Sequence, residues 1–207
     1  MTTDPRAHWE RRYADHAPSE LSWFEPVPQR SLTAINALGL TPDAAILDVG
    51  GGASTLAAEL VAAGHTDVTV LDLAASALDH AQDQHGGQLP EIKWITADIR
   101  DHAFDRRFDL WHDRAVFHFM VSDADRASYV QTLERSLEPR GHVIIATFGP
   151  DGPTRCSGLP VHRYGADELV RALPADLELA DAALAEHRTP SGNSQQFLHA
   201  HLVRRPA

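Results

Sequence analysis

Cysteine is almost missing from this chain: Cys156 is the only one in 207 residues. No intrachain disulfide can form, so the fold must rest on its core, and a reducing, cytoplasmic setting is expected. Basic clusters are missing as well. Lys and Arg number 18 against 29 Asp and Glu, a formal net charge of −11. The pairs Arg11-Arg12, Arg106-Arg107 and Arg204-Arg205 stand far apart in the sequence. Affinity for phosphate backbones depends on gathered Lys and Arg, so nucleic acid is not an expected partner. No stretch reaches the roughly 18 apolar residues of a membrane span, and none follows a basic start as in a secretory leader. Internal repeats and low-complexity tracts do not occur, which removes solenoids and disordered arrays.

What is present is enough for one domain. The hydrophobic content is 43%, and the length lies inside the ordinary range of about 50–250 residues. The most informative stretch is Ile46-Leu47-Asp48-Val49-Gly50-Gly51-Gly52-Ala53-Ser54. An apolar run closes on an acid, passes through three glycines and opens into a helical pattern from Thr55 to Ala63. Glycine lacks a Cβ and tolerates positive φ, so a ligand can approach bare backbone there. The helix start then offers free N–H groups to an anionic end of that ligand. A dinucleotide turn would follow G-x-G-x-x-G around a pyrophosphate. Here the third slot holds no glycine, and Asp48 is a poor neighbour for a diphosphate and a good one for a cation. Asp-x-Gly-x-Gly with Ser54 in the next slot resembles the glycine motif of class I S-adenosylmethionine-dependent methyltransferases.

Two more runs end in acids. Val68-Thr69-Val70-Leu71-Asp72-Leu73 closes on Asp72, about 20 residues beyond the turn, where a carboxylate accepts ribose hydroxyls of any adenosine cofactor. Ile92 to Ile99 contains Asp98. In the family that this chain resembles, an acid there accepts from the adenine amine and the next apolar residue packs on the ring. Asp98 and Ile99 stand at those positions. Each aspartate taken alone is equally a helix N-cap or a solvated loop residue.

Strand and helix patterns alternate along the chain. Asp4 to Gly39 reads as helix, loop, helix, with Trp9 and Tyr13 four apart on one face and Trp23-Phe24 in the loop. Gly64 suits a left-handed cap for the helix after the glycines, and Gly86-Gly87 ends the helix that starts at Ala74. Phe108 to Asp113 is the fourth strand, Asp123 caps the helix carrying Tyr129, Leu133 and Leu137, and Pro139-Arg140-Gly141 turns into a fifth strand, His142 to Phe148. Pro150 to Pro160 is a Gly/Pro-rich loop, followed by a helix from Ala166 to Leu173. Two extended segments, Leu177 to His187 and Gln195 to Val203, flank Thr189-Pro190-Ser191-Gly192-Asn193, a turn that implies antiparallel pairing. The expected fold is α/β and Rossmann-like: a seven-stranded, mostly parallel sheet with an antiparallel C-terminal strand and helices on both faces. Residues 1–207 then form a single methyltransferase domain. Its parts are an N-terminal helical cap (1–40), a cofactor-binding half (41–148), and a substrate-side loop with C-terminal hairpin (149–207).

The resemblance implies S-adenosylmethionine as methyl donor and S-adenosylhomocysteine as product. Cofactor contacts are expected from Asp48, Gly50, Gly51, Gly52, Asp72, Leu73, Asp98, Ile99 and Asp113, with Trp9, Tyr13 and Trp23 closing over them. Packing of the N-terminal helices explains those three rings equally well. Asp113-Arg114-Ala115-Val116-Phe117-His118-Phe119 stands at the family's fourth motif, which lines the methyl-transfer site. Asp113 and His118 are therefore the candidate proton acceptors, and neutral imidazole suits that task near pH 7. A thiol acceptor with appreciable thiolate would need no base. His112 reads better as a core histidine. Arg114, Arg155, Arg163 and Tyr164 are expected on the acceptor side, with Arg155 and Arg163 as clamps for an anion or, equally, as surface salt-bridge partners. His162, His187, His199 and His201 lack metal-site spacing, so no metal is expected. A small-molecule acceptor is favoured for a monomer or homodimer. Trp9 to Tyr13 with Ser22-Trp23-Phe24 also resembles small methyltransferases, some of which modify protein lysines. A lysine methyltransferase and a non-catalytic S-adenosylmethionine-binding protein are the alternatives.

Overall fold

In the computed structural model, which describes residues 4–84 and 89–206, the chain alternates strands and helices around one central sheet. Helix α1 (Pro5–Asp15) and α2 (Gln29–Ala37) precede strand β1 (Ile46–Val49). Then follow α3 (Leu56–Ala62), β2 (Val68–Asp72), α4 (Ala75–Gln84), β3 (Ile92–Thr96), β4 (Phe108–Arg114), α5 (Asp123–Ser136) and β5 (Leu137–Phe148). A small hairpin, β6 (Arg155–Cys156) with β7 (Leu159–Pro160), leads to α6 (Ala166–Ala172), β8 (Leu177–Arg188) and β9 (Ser194–Arg204).

The sheet order is β3-β2-β1-β4-β5-β9-β8. Strands β1 to β5 pair in parallel, while β9 pairs antiparallel with both β5 and β8. The order reverses beside β1, with β2 on one flank and β4 on the other, and open α/β sheets bind ligands at such a point. Both faces are covered, so the central strands read as unbroken apolar runs. All of β1 and β2 is buried. Period-2 alternation divides their side chains. Leu47 and Val49 join Trp111, Tyr129, Leu133 and Ile145 in one core. Ile46 joins Leu56, Leu60, Val68, Leu110 and Ile35 in the other.

Several sequence expectations are corrected in detail. Ser122, not Asp123, caps α5: its Oγ accepts from the Asp125 N–H at 3.0 Å. Leu137 belongs to β5 rather than to the helix, and β5 starts before Pro139-Arg140-Gly141. The turn chemistry there is absorbed as a register slip opposite Phe108 and Leu110, with Arg140 at φ +65°. Gly64 does adopt φ +102° just beyond α3. The Gly86-Gly87 cap lies outside the described residues. The loop Pro150 to Pro160 contains the β6–β7 hairpin.

Helix α1 is fastened to the body through α4. The Glu10 carboxylate accepts from the N–H groups of Ala75 (2.7 Å) and Ser76 (3.2 Å) and from the Ser76 hydroxyl (2.6 Å). These are orphan donors at the start of α4, so a residue from a distant helix serves as its cap. A second tie joins His80 Nε2 to the Tyr13 carbonyl at 3.1 Å. Both ties set Trp9 and Tyr13 over the sheet's carboxyl edge.

Candidate active site

The turn after β1 is built for close approach. Gly50 has φ +65°, and a Cβ there would overlap Val116 Cγ2. Gly52 has φ +51°, and its Cβ would stand 2.5 Å from the Tyr13 hydroxyl and 3.2 Å from Asp72 Oδ2. The chain beyond then enters α3, with Ser54 Oγ accepting from the Leu56 N–H at 3.1 Å. Backbone at this turn is thus hemmed between α1, the end of β2 and the segment after β4. Side chains are excluded from it.

A cavity of about 420 Å³ opens over this edge, within the usual 300–1,000 Å³ of small-molecule sites. Gly50, Asp72, Leu73, Asp98 and Ile99 line one end. Asp72 is 8% exposed, and its Oδ1 accepts from the Ala74 N–H at 2.9 Å. Burial, with the charge of Asp48 adding to it, pushes this carboxyl up to about 7. Burial also raises Asp98, but hydrogen bonds from Arg100 outweigh it and hold that carboxyl below its ordinary value. Arg100 donates to Asp98 Oδ2 at 2.6 Å and to Asp125 Oδ1 at 2.5 Å. Trp9, Tyr13 and Trp23 also line the cavity, and the same rings pack with Leu21, Ala74 and Ala77 in a small core. Their rings are joined edge to face: Trp9 meets Trp23 at 5.6 Å and Phe119 at 5.2 Å between centroids.

Asp48 stands apart from this cavity. It lines a separate hollow of about 40 Å³ on the other side of the glycine turn, with Ser31, Glu25 and His112. His112 Nδ1 donates to Asp48 Oδ1 at 2.7 Å, and His112 Nε2 lies 2.9 Å from the Ser31 hydroxyl. Its direct cofactor contact, expected from the sequence, gives way to a buried polar chain behind the turn. His112 is the core histidine that its strand position suggests.

Two expected proton acceptors are closed off. Asp113 is 0% exposed. It accepts from the N–H groups of Val116 (2.8 Å) and Phe117 (3.0 Å) and from the Tyr129 hydroxyl (2.5 Å). Ala115 at φ +74° makes the reversal that brings those N–H groups back. Burial pushes the Asp113 carboxyl up to about 6, yet it does not line the cavity. His118 is also 0% exposed. Its Nδ1 accepts from the Phe148 N–H at 3.3 Å, and burial pushes its pKa down to about 3. Neither side chain lines the cavity; both are held in buried hydrogen bonds within the core.

Of the four residues expected to meet the acceptor, only Arg114 lines the cavity. It borders both this cavity and the smaller hollow beside Asp48; its guanidinium donates to the Trp23 carbonyl at 2.6 Å and lies 3.7 Å from Glu25. Arg155 turns out to bond the Gly158 carbonyl, and Arg163 bonds the Gly152 carbonyl at 3.3 Å. Tyr164 is 1% exposed and stacks on Phe117 at 5.4 Å. These three do not line the cavity; short loop contacts hold the two arginines at the surface, and packing holds the tyrosine in the core. The residues that do line this end include Phe119, Phe148, Cys156, Pro160, Gln195 and Phe197. Sequence reasoning missed most of them. The one available signal was the reversed last strand, whose first residues must arrive at the carboxyl edge of its parallel neighbours.

Residues 46–141 match the family described as "Methyltransferase domain". Among solved structures, 1,6-didemethyltoxoflavin-N1-methyltransferase from Burkholderia thailandensis, with bound 1,6-didemethyltoxoflavin and S-adenosylhomocysteine, is 20% identical. It aligns with a TM-score of 0.74 over 97% of this chain and 87% of its own. The N-methyltransferase NodS from Bradyrhizobium japonicum WM9 is 19% identical, with a TM-score of 0.69 over 87% of this chain and 98% of its own. A structure from work on converting a disulfide bond into a thioacetal group during echinomycin biosynthesis is 21% identical, with a TM-score of 0.79 over 97% and 93%. Likeness at these identities is likeness of fold. A search of curated proteins gives no match.

Proposed function

We propose that the chain is a class I S-adenosylmethionine-dependent methyltransferase, a reading supported by the methyltransferase-domain match over residues 46–141, and that it methylates a small-molecule acceptor by in-line displacement. The observation that carries this reading is the pairing of Asp72 and Asp98. Asp72 ends β2 and Asp98 follows the adjacent β3, and both line one cavity with the bare backbone of Gly50.

The residues present fit the cofactor. Asp72 would accept the ribose hydroxyls and Asp98 the adenine end, with Ile99 against the ring. Gly50 lines the same cavity, where its bare backbone would meet the amino-acid end. When bound, S-adenosylmethionine supplies a methyl group activated by its sulfonium charge. Protein side chains then contribute mainly position, since a displacement gains most from holding nucleophile and carbon close and collinear. Trp9, Trp23 and Phe119 exclude water from that approach. The net charge of −11 favours accumulation of a cationic donor near the surface.

Titration calorimetry tests the reading. S-adenosylmethionine and S-adenosylhomocysteine should each bind with one-to-one stoichiometry, and nicotinamide dinucleotides should not. Binding of a dinucleotide in their place would sink the proposal. Incubation with cytoplasmic protein extracts and labelled donor separates a lysine acceptor from a small molecule.

A further inference from the structure

Three charged side chains at the nucleoside end of the cavity are tied into one unit. Asp98 follows β3, Arg100 stands two residues on, and Asp125 lies in the first turn of α5; all three line the cavity. Asp98 Oδ1 accepts from the Arg100 main-chain N–H at 2.9 Å and from Arg100 Nε at 3.0 Å. Nε is shared with Asp98 Oδ2 at 3.2 Å, and Nη2 donates to that oxygen at 2.6 Å. The other arm of the guanidinium, Nη1, donates to Asp125 Oδ1 at 2.5 Å. Asp125 Oδ2 in turn accepts from the hydroxyl of Ser122, the cap of α5, at 2.6 Å. A planar fork thus spans from the loop after β3 to the start of a helix. A lysine ammonium, a compact point charge, does not reproduce that geometry.

Exposed ion pairs contribute little to stability, and these side chains are only partly covered, Asp98 being 21% exposed and Arg100 26%. What the tie fixes is the state and direction of a carboxylate. When ionised, a carboxylate only accepts, through about four lone-pair sites on its two oxygens. Three N–H donors of Arg100 serve those sites, which leaves room for one more on a side chain that lines the cavity. Burial raises the Asp98 carboxyl, but the bonds from Arg100 outweigh it and hold it below its ordinary value, with the charge of Arg6 in α1 adding to the pull. Asp125 is lowered too, by the Ser122 bond first and then by Arg100. Without Arg100 the effect of burial would prevail, and a protonated Asp98 would donate as well as accept.

Resting on the methyl-transfer reading above, we propose that Arg100, braced by Asp125, is a positioning residue for selection of the methyl donor: it keeps Asp98 an acceptor-only carboxylate, so the cavity takes an adenosyl compound and refuses the same molecule with a 6-oxo purine. The amine at purine position 6 offers N–H groups, and the free site on Asp98 accepts one. A carbonyl at that position is itself an acceptor and would meet the carboxylate with no hydrogen between them. Sites built to pair with a ligand N–H reject an analogue that lacks it far more sharply than sites that measure size alone. Arg100 acts through Asp98 and takes no part in the displacement.

Titration calorimetry with S-adenosylhomocysteine and with S-inosylhomocysteine, its 6-oxo counterpart, tests this from about pH 5 to about 8. The ratio of the two affinities reports the purine edge, because the ribose contact of Asp72 and any change in folding weigh on both ligands alike. In the parent the inosyl compound should bind at least about 10-fold more weakly, with a ratio flat across that range. Arg100→Met should bring the two within a few-fold of each other at the acid end and part them again as pH rises and Asp98 loses its proton. Arg100→Lys should return the flat profile with the charge, at a smaller ratio without the fork. Asp125→Asn should lower the ratio less than Arg100→Met does. A parent that binds both ligands equally, or an Arg100→Met protein with the parent's ratio and profile, would overturn the proposal. So would a loss falling equally on both ligands, the mark of a tie that is only structural. Absence of S-adenosylhomocysteine binding by the parent would instead remove the methyl-transfer reading itself. If Arg100→Met does not fold, the other two variants decide, and the parent's ratio in both would overturn the proposal.

Discussion

His112 and Asp48 face each other directly across strands β1 and β4, with Nδ1 2.7 Å from Oδ1. The same ring reaches Ser31 of α2 through its other nitrogen at 2.9 Å. One side chain therefore links two adjacent strands and a covering helix, directly behind the glycine turn. His112→Phe should leave the Asp48 carboxylate buried without that partner and cost about 1–3 kcal/mol. Urea unfolding checks this. A midpoint within error of the parent would show that the chain contributes nothing to stability.

Asp72 gives a pH dependence with a defined sign. Its pKa is raised to about 7 in the folded protein, so the folded state holds a proton that the unfolded state releases in the ordinary carboxylate range. The resulting stability is fully present below that range and is lost as pH rises through about 7. Cofactor affinity runs the other way, since a ribose-binding carboxylate works best ionised. Calorimetry with S-adenosylhomocysteine should show affinity climbing from pH 5.5 to about 8. Asp113, raised to about 6, adds to the stability trend but not to affinity, because it does not line the cavity. Asp72→Ala should weaken binding by about 1–3 kcal/mol and flatten the affinity profile. An unchanged profile would remove Asp72 from the ribose.

Glu10 is the fastening of α1. Glu10→Gln keeps the shape and removes the charge at the start of α4, at a cost of about 0.5–2 kcal/mol as for other lost caps. Because Trp9 and Tyr13 ride on the same helix, affinity for S-adenosylhomocysteine should fall together with thermal stability. A loss of stability with unchanged affinity would mean that α1 does not help to hold the cofactor.

Gly50→Ala adds a methyl where Val116 already stands, at φ +65°. Backbone strain of about 1–3 kcal/mol and the overlap should together suppress cofactor binding. Val116→Ala in the same chain should restore part of it, by relieving the overlap and not the strain. Full restoration would show that φ is not limiting; no restoration would show that the contact with Val116 is irrelevant.

Strand ends and their acids were legible because each is marked locally. A buried run, an acid and a turn or helix start follow in order at Asp48, Asp72 and Asp98. The parallel order with one reversed strand also followed, from the Thr189 to Asn193 turn. Facing was not legible. In β4 the period of two sends Trp111 and Asp113 toward Tyr129, and His112 and Arg114 toward Ser31 and Trp23. Only the packing of α5 on one face and α2 on the other tells which set meets ligand. Asp113 looked like a rim acid, yet a left-handed Ala115 folds the chain back and uses both its oxygens. Nothing in the residue type of Ala115 announces that reversal. The arginines of the loop after β5 were not legible for a related reason: the Gly158 and Gly152 carbonyls of their own loop hold Arg155 and Arg163 away from the cavity.

The reversed entry of β9 between β5 and β8 has an evolutionary consequence. The cavity-lining carboxylates Asp72 and Asp98 are encoded before residue 148, whereas Cys156, Pro160, Gln195 and Phe197 all come after it. Drift in the last quarter of the gene can remould selectivity while the donor grip is inherited unchanged. Descendants of such a chain can acquire new clients one hairpin at a time.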